Sequence, residues 1–366
     1  MNRQTEVVPR VAPPRKTPFE NWVGEEGLDL VRGFYVEDLK KLPLKPWPRK
    51  GGSGAYIQLE GTEWENAAYV CEIPLQKKLE PQRHFFEEKI YILEGTGTTR
   101  IWNDGGAEQN LIWKPGTLFA VPLNAWHQHR NEGRQKARYV AVTLAPFMMN
   151  IFRNADFIFN TPFDFKERFN GEEGFFSETG KVYKFTEGYQ GTIFETNVIY
   201  DLPNYPLWSW EERGAGARVA WFEMAGNTMG SHVAEFPVGT YKKAHRHAGG
   251  SHVIIIKGKG YSLMWREGSP IQRFDWQEGS MIVPPERWFH QHFNTGPSPA
   301  RYLAIHGLST RKFNIGKKRY AIDKSMKEGG DQIDYEDEMP EIREMFEKEL
   351  AKTGIRLEMP RFAKKG

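Results

Sequence analysis

The sequence predicts an all-β protein built from two copies of one small barrel. Three observations carry that prediction. A set of residues recurs at a constant offset of 163 positions. Short β-branched and aromatic runs alternate with glycine turns in both copies. Aromatics make up 14% of the chain beside 36 Gly and 23 Pro, a composition that favours sheets and turns.

The offset pairs His84 with His247, Gly95 with Gly258, Gly97 with Gly260, and Trp102 with Trp265. It pairs Trp113 with Trp276, Gly116 with Gly279, and Pro122 with Pro285. His127, Gln128, His129 and Asn131 fall on His290, Gln291, His292 and Asn294, and Tyr139 falls on Tyr302. One ungapped register held by rare Trp and His marks an internal duplication. Copy one reads as strands over 89–93, 98–102 and 118–121, with a turn at 103–106. Copy two repeats the pattern over 253–256, 261–265 and 280–283. Strands of this length at short spacing argue for a sandwich or barrel.

Five segments follow. Residues 1–50 form a Pro- and Lys-rich arm with some helix near 36–41; residues 51–146 are the first barrel and 214–309 the second. Residues 147–213 read as a partly ordered connector, and 310–366 as a helical tail. In that tail Ile342, Met345, Phe346 and Leu350 have the spacing of an amphipathic helix.

The chemistry concentrates in histidines. Copy two contains His245-Arg-His247, then His252, then His290. Two His at i and i+2 on a strand share a face, and a third from a later strand completes a set open on one side. Three or four neutral imidazoles suit Fe(II), Cu(II), Ni(II) or Zn(II) better than Mg(II) or Ca(II). His252 reads either as a further ligand or as a partner that orients one. Copy one offers Gln82, His84, Glu88 and His127. Two His and one carboxylate make a possible second site, but Gln82 is a poor ligand, which favours a degenerate copy kept for packing. His129 and His292 share the ligands' face further along the barrel.

These motifs resemble those of the cupins, and the two copies resemble a bicupin. The first cupin pattern, G-x5-H-x-H-x(3,4)-E-x6-G, is matched by Gly239, His245, His247 and Gly258. The second, G-x5-P-x-G-x2-H-x3-N, is matched by Gly279, Pro285, His290 and Asn294, and in copy one by Gly116, Pro122, His127 and Asn131. Arg287 and Asn124 stand where that pattern has glycine. The resemblance implies two double-stranded β-helix barrels. Copy two lacks the family's glutamate: the offset sets Ser251 opposite Glu88, whereas a four-residue gap sets His252 there. The string His245-Arg-His247 is similar to that of gentisate 1,2-dioxygenases.

The leading expectation is an Fe(II)-dependent dioxygenase that takes O2 and a small anionic, hydroxylated aromatic substrate. Zn(II), Mn(II), Ni(II) and Cu(II) are the other metals considered. Arg287 is the expected carboxylate anchor, His252 its catalytic companion, and Trp265, Trp288 and Phe289 the aromatic wall. Arg246, between two ligands on a strand, is expected to face away. The alternatives are a non-oxidative metal-dependent lyase, isomerase or hydrolase, and a non-catalytic binding bicupin. A net charge of +3 gives no field for nucleic acid. Absence of a long apolar run argues against a membrane span, and absence of an apolar leader against secretion. The lone Cys71, read as a buried small apolar residue, fits a reducing, cytoplasmic compartment. The resemblance implies a homo-oligomer, a dimer or tetramer.

Overall fold

The computed structural model describes residues 16–62, 65–185, 191–308 and 321–359. Parts of the expected arm (1–15) and tail (310–320 and 360–366) lie outside the described residues. The architecture is all-β, with two double-stranded β-helix barrels.

In the first barrel, strands Gly52–Ile57, Ala67–Ile73, Ala137–Thr143, Glu88–Glu94 and Leu118–Val121 lie side by side in that order. They pack against a sheet of Trp126–Asn131, Gly97–Trp102 and Glu108–Trp113. The second barrel repeats this with Arg218–Glu223, Met229–Phe236, Ala300–Leu308, His252–Lys257 and Met281–Ile282. Its facing sheet holds Gln272–Gln277, Lys259–Trp265, Phe289–Asn294 and Ala244–His245. The Gly-x-Gly pairs have a backbone reason. Gly95 and Gly258 turn with φ of +82° and +99°, and a Cβ on Gly97 or Gly260 would lie about 2 Å from the facing carbonyl of Arg130 or Phe293.

The arm and the connector are integral to the barrels. Tyr35–Val36 pairs with Met281–Ile282 of the second barrel, and Val198–Ile199 pairs with Leu118–Phe119 of the first. These two strands are themselves separated by 163 residues, so each copy lends a strand to the other. Equivalent buried arginines hold the chain on its way back. Arg138 donates to the carbonyls of Leu39, Lys40 and Leu42, and Arg301 to those of Leu202 and Tyr205. Their other nitrogens hold Glu72 at 2.7 Å and Glu235 at 2.9 Å.

The helix expected near 36–41 is absent. Tyr35–Val36 is a strand, and Asp38 folds the next residues into a turn by accepting from the Lys40 amide. The arm's helix is Pro18–Glu25 instead. Thr17 and Glu20 cap it reciprocally, and it buries Phe19, Trp22 and Val23. At the other end, helix Pro340–Thr353 buries Ile342, Phe346 and Leu350, with Phe346 against Tyr241 and Phe293 of the second barrel. That face therefore covers its own chain. Cys71 is buried with a free thiol. No helix of the described residues is long and apolar enough to cross a membrane.

Removing a buried guanidinium leaves carbonyls and a carboxylate without their donor. Arg301→Ala is expected to lower unfolding stability by about 3 kcal/mol, read from urea denaturation. A loss below about 0.5 kcal/mol, the range of an ordinary surface change, would remove the clamp from the account.

Candidate metal centre

The first barrel brings His84, Glu88 and His127 together, with ligand atoms all within 4.8 Å of one another. The three side chains are buried. His84 Nδ1 lies 2.9 Å from the Phe86 carbonyl and His127 Nδ1 lies 3.2 Å from the Ala125 carbonyl. A carbonyl only accepts, so each Nδ1 carries the proton and each Nε2 keeps its lone pair. Both Nε2 atoms and Glu88 Oε1 are buried without a hydrogen-bond partner. Three acceptors converge with no donor between them, and a cation resolves that conflict.

The carboxylate is prepared for that role. Tyr69 donates to Glu88 Oε2 at 2.6 Å, and buried Lys50 donates to Tyr69 at 2.8 Å. Oε1 is thereby left for the centre. Burial alone would raise the Glu88 pKa, but its contact with His84 and the charge of Lys50 hold it well below the usual carboxylate range. Burial pushes His127 well below the ordinary imidazole value. Gln82 pairs directly across from His127, and both of its amide atoms are buried without partners. Its Oε1 is a fourth acceptor available to a cation. The geometry is against a copy kept only for packing.

The second barrel brings His245, His247 and His290 together. His245 pairs across from His290, with ring centres 4.1 Å apart. His247 Nδ1 lies 2.6 Å from the Ala248 carbonyl and His290 Nδ1 3.4 Å from that of Trp288, so each neutral ring carries its proton on Nδ1 and its lone pair on Nε2. His245 differs. Arg213, also buried, donates to its Nδ1 at 2.5 Å and to Gln332 at 2.6 Å. A guanidinium cannot accept, so a neutral His245 carries its proton on Nε2. Two of the three rings fit a metal, and the third fits only if Arg213 moves. Another buried basic side chain, Lys242, whose pKa burial pushes well below the ordinary lysine value, hydrogen-bonds Tyr302 at 2.9 Å and lies over Trp210.

His252 does not join this cluster. It pairs with Ile305, whereas Glu88 pairs with Thr143, so His252 is the register equivalent of Lys89. Strand side chains alternate, and His252 falls on the same face as Ile254 and Ile256, which pack with the first barrel's core. The gapped alignment was wrong and the constant offset was right: Ser251 stands opposite Glu88. Arg287 is exposed on a turn with φ of +62°, and Asn124 has +58°. Both occupy the motif's glycine because the turn needs a left-handed residue, and Arg287 donates its backbone amide to the His247 carbonyl at 3.0 Å. Trp265 and Phe289 stack with each other under the C-terminal helix, facing away from the imidazoles. Trp288 packs on Phe34. Arg246 turns outward to Asp331 and Glu267, as its position predicts.

Sequence reasoning missed Lys50, Tyr69, Arg213 and Lys242. A signal for two of them was present. Carried upstream, the offset matches Asp38, Leu39, Pro43, Leu44, Trp47 and Gly51 with Asp201, Leu202, Pro206, Leu207, Trp210 and Gly214, and sets Lys50 on Arg213.

A family model described as a cupin domain matches residues 69–143. A search of curated proteins finds no match. Among solved structures, oxalate decarboxylase of Lactobacillus farciminis in its formate complex is 14% identical, with a TM-score of 0.51 over 76% of this chain and 86% of that one. A second oxalate decarboxylase structure is 16% identical, also with a TM-score of 0.51, over 84% of this chain and 87% of that one. At such identities the likeness is one of fold. It does not bear on the ring-cleaving resemblance.

Three variants test the donors of the two clusters. Glu88→Gln is expected to weaken Zn(II) binding at least ~100-fold, and Tyr69→Phe, which only frees Oε2, about tenfold, both by competition with a chromogenic chelator. Arg213→Met is expected to strengthen metal binding at the three-imidazole cluster, because His245 then regains its tautomeric freedom. Unchanged affinities in all three would refute this account of the donors.

Proposed function

We propose that this chain, which is a bicupin, is a divalent-metal enzyme acting on a small anionic substrate, with its principal centre in the first barrel. One observation carries the reading: the buried lone pairs of His84 and His127 and the free oxygen of Glu88 converge with no donor among them. His84, His127 and Glu88 would hold the ion, with Gln82 beside them. The bound ion would supply Lewis acidity, or one-electron chemistry with O2 if it is iron. One carboxylate against two positive charges leaves the centre cationic. An anionic substrate is the natural complement.

The chain's own residues do the rest. Lys50 and Tyr69 fix the rotamer of Glu88, so that Oε1 and not Oε2 would be the oxygen left to hold the ion. The Phe86 and Ala125 carbonyls hold the two imidazoles in the ligating tautomer. Burial of the cluster excludes water, so substrate oxygen has little competition.

Two reaction classes remain. Two imidazoles and one carboxylate are a donor set that would suit Fe(II) and O2, which keeps the dioxygenase expectation. Glu88 favours a non-oxidative lyase of carboxylates. The three-imidazole cluster remains a second candidate centre on the condition that Arg213 yields.

Metal content and turnover, measured with and without air on a panel of hydroxylated aromatic acids and aliphatic dicarboxylates, separate the readings. Turnover is expected to vanish on chelation and to return with one added metal. Oxygen uptake that tracks substrate loss selects the dioxygenase, and undiminished anaerobic turnover selects the lyase. An enzyme whose turnover survives Glu88→Ala and His84→Ala would sink the first-barrel reading.

A further inference from the structure

Each barrel contains a relay that ligand geometry does not require. In the first, the Trp113 indole donates to Thr99 Oγ1 at 3.0 Å, and Thr99 Oγ1 lies 2.7 Å from His129 Nδ1. In the second, Trp276 donates to Ser262 Oγ at 2.9 Å, and Ser262 Oγ lies 2.7 Å from His292 Nδ1. All three pairs of positions are 163 residues apart. Thr in one copy and Ser in the other keep the hydroxyl and drop the methyl, so the hydrogen bond is the shared feature, not the packing.

The relay determines where the imidazole proton sits. An indole N–H only donates, so it occupies a lone pair of the hydroxyl. The hydroxyl hydrogen then needs an acceptor, and in this buried place that acceptor is His129 Nδ1. A proton on Nδ1 would instead leave the Thr99 hydrogen buried without a partner. The neutral ring therefore carries its proton on Nε2. His129 Nε2 is buried and has no partner. The ring centre lies 5.5 Å from that of His127. A donor of fixed orientation stands beside the centre with nothing to donate to.

We propose that His129 Nε2–H is the hydrogen-bond donor to an anionic oxygen of the ligand bound at the first-barrel centre, with Thr99 and Trp113 as positioning residues. The location of that ligand rests on the metal reading above; the tautomer does not.

The test has two independent arms. Long-range 1H–15N NMR on histidine-labelled, metal-free protein reads the tautomer, with the His129 signals identified by their loss in His129→Gln. An Nε2–H pattern in the wild type is expected, and Thr99→Val is expected to shift it toward the other tautomer. An Nδ1–H or doubly protonated ring in the wild type overturns the relay. Acetate, the probe for the second arm, is titrated into Zn(II)-loaded protein. His129→Phe is expected to weaken acetate about tenfold or more with Zn(II) retained, and His129→Gln, which keeps an N–H donor, to recover part of the loss. Equal acetate affinity in wild type and His129→Phe overturns the ligand role. If the wild type binds no Zn(II), the metal reading fails and the ligand role with it, while the NMR arm still decides the tautomer.

Discussion

The reciprocal strand exchange sets the frame on which both centres depend. Each copy starts in the other barrel, at Tyr35–Val36 or Val198–Ile199, and returns to its own past a buried arginine. The return path ends at Lys50 or Arg213. Both are therefore delivered into a barrel interior by a segment anchored at its two ends. Lys50 reaches Glu88 through Tyr69, and Arg213 reaches His245 directly. A cation buried this deeply needs a fixed backbone, because desolvation opposes its charge. The exchange supplies that fixity and ties the two barrels into one unit, with Ile254 and Ile256 of the second packed into the core of the first.

Tautomers decide which imidazoles can hold an ion, and local donors and acceptors decide tautomers. His84, His127, His247 and His290 each set Nδ1 against a backbone carbonyl. His245 sets it against a guanidinium. The convergence of rings is similar in both barrels, but the lone pairs are not. A count of histidines ranks the second barrel first. Buried ligand atoms without a hydrogen-bond partner, Glu88 Oε1 included, rank the first barrel first.

The duplication, the two barrels and the convergence of His245, His247 and His290 were legible because period-two alternation and one offset fix them. The same offset already excluded His252. Admitting a gap moved one residue, and on a strand one residue changes the face. Trp265 and Phe289 were misplaced for the same reason, since Phe289 neighbours His290 and must point the other way. Arg287 was misread because side-chain chemistry was weighed where backbone conformation governs. Lys50 was hidden inside what looked like an arm. Six identities at the same offset extend the repeat through it, but they are Asp, Leu, Pro, Trp and Gly rather than histidines. The contact of Arg213 with His245 was not legible at all, because it depends on the three-dimensional return of the exchanged segment.

The differences between the two centres form a coupled set. Where the first barrel has Glu88, the second has Ser251. Where the first has Tyr69 to donate to that carboxylate, the second has His232, paired instead with His306 at 2.9 Å. Where the first has Lys50 behind the tyrosine, the second has Arg213, which has moved its donation to the ring that replaces Gln82. Loss of the carboxylate alone would strand a tyrosine hydroxyl and a lysine in a dry interior, each without its acceptor. Their joint replacement avoids that cost. Random decay of one copy would leave such orphans behind. The relay of indole, hydroxyl and imidazole, by contrast, is kept in both barrels. The chemistry at the ligand positions has diverged while the hydroxyl that meets Nδ1 of the neighbouring imidazole has not.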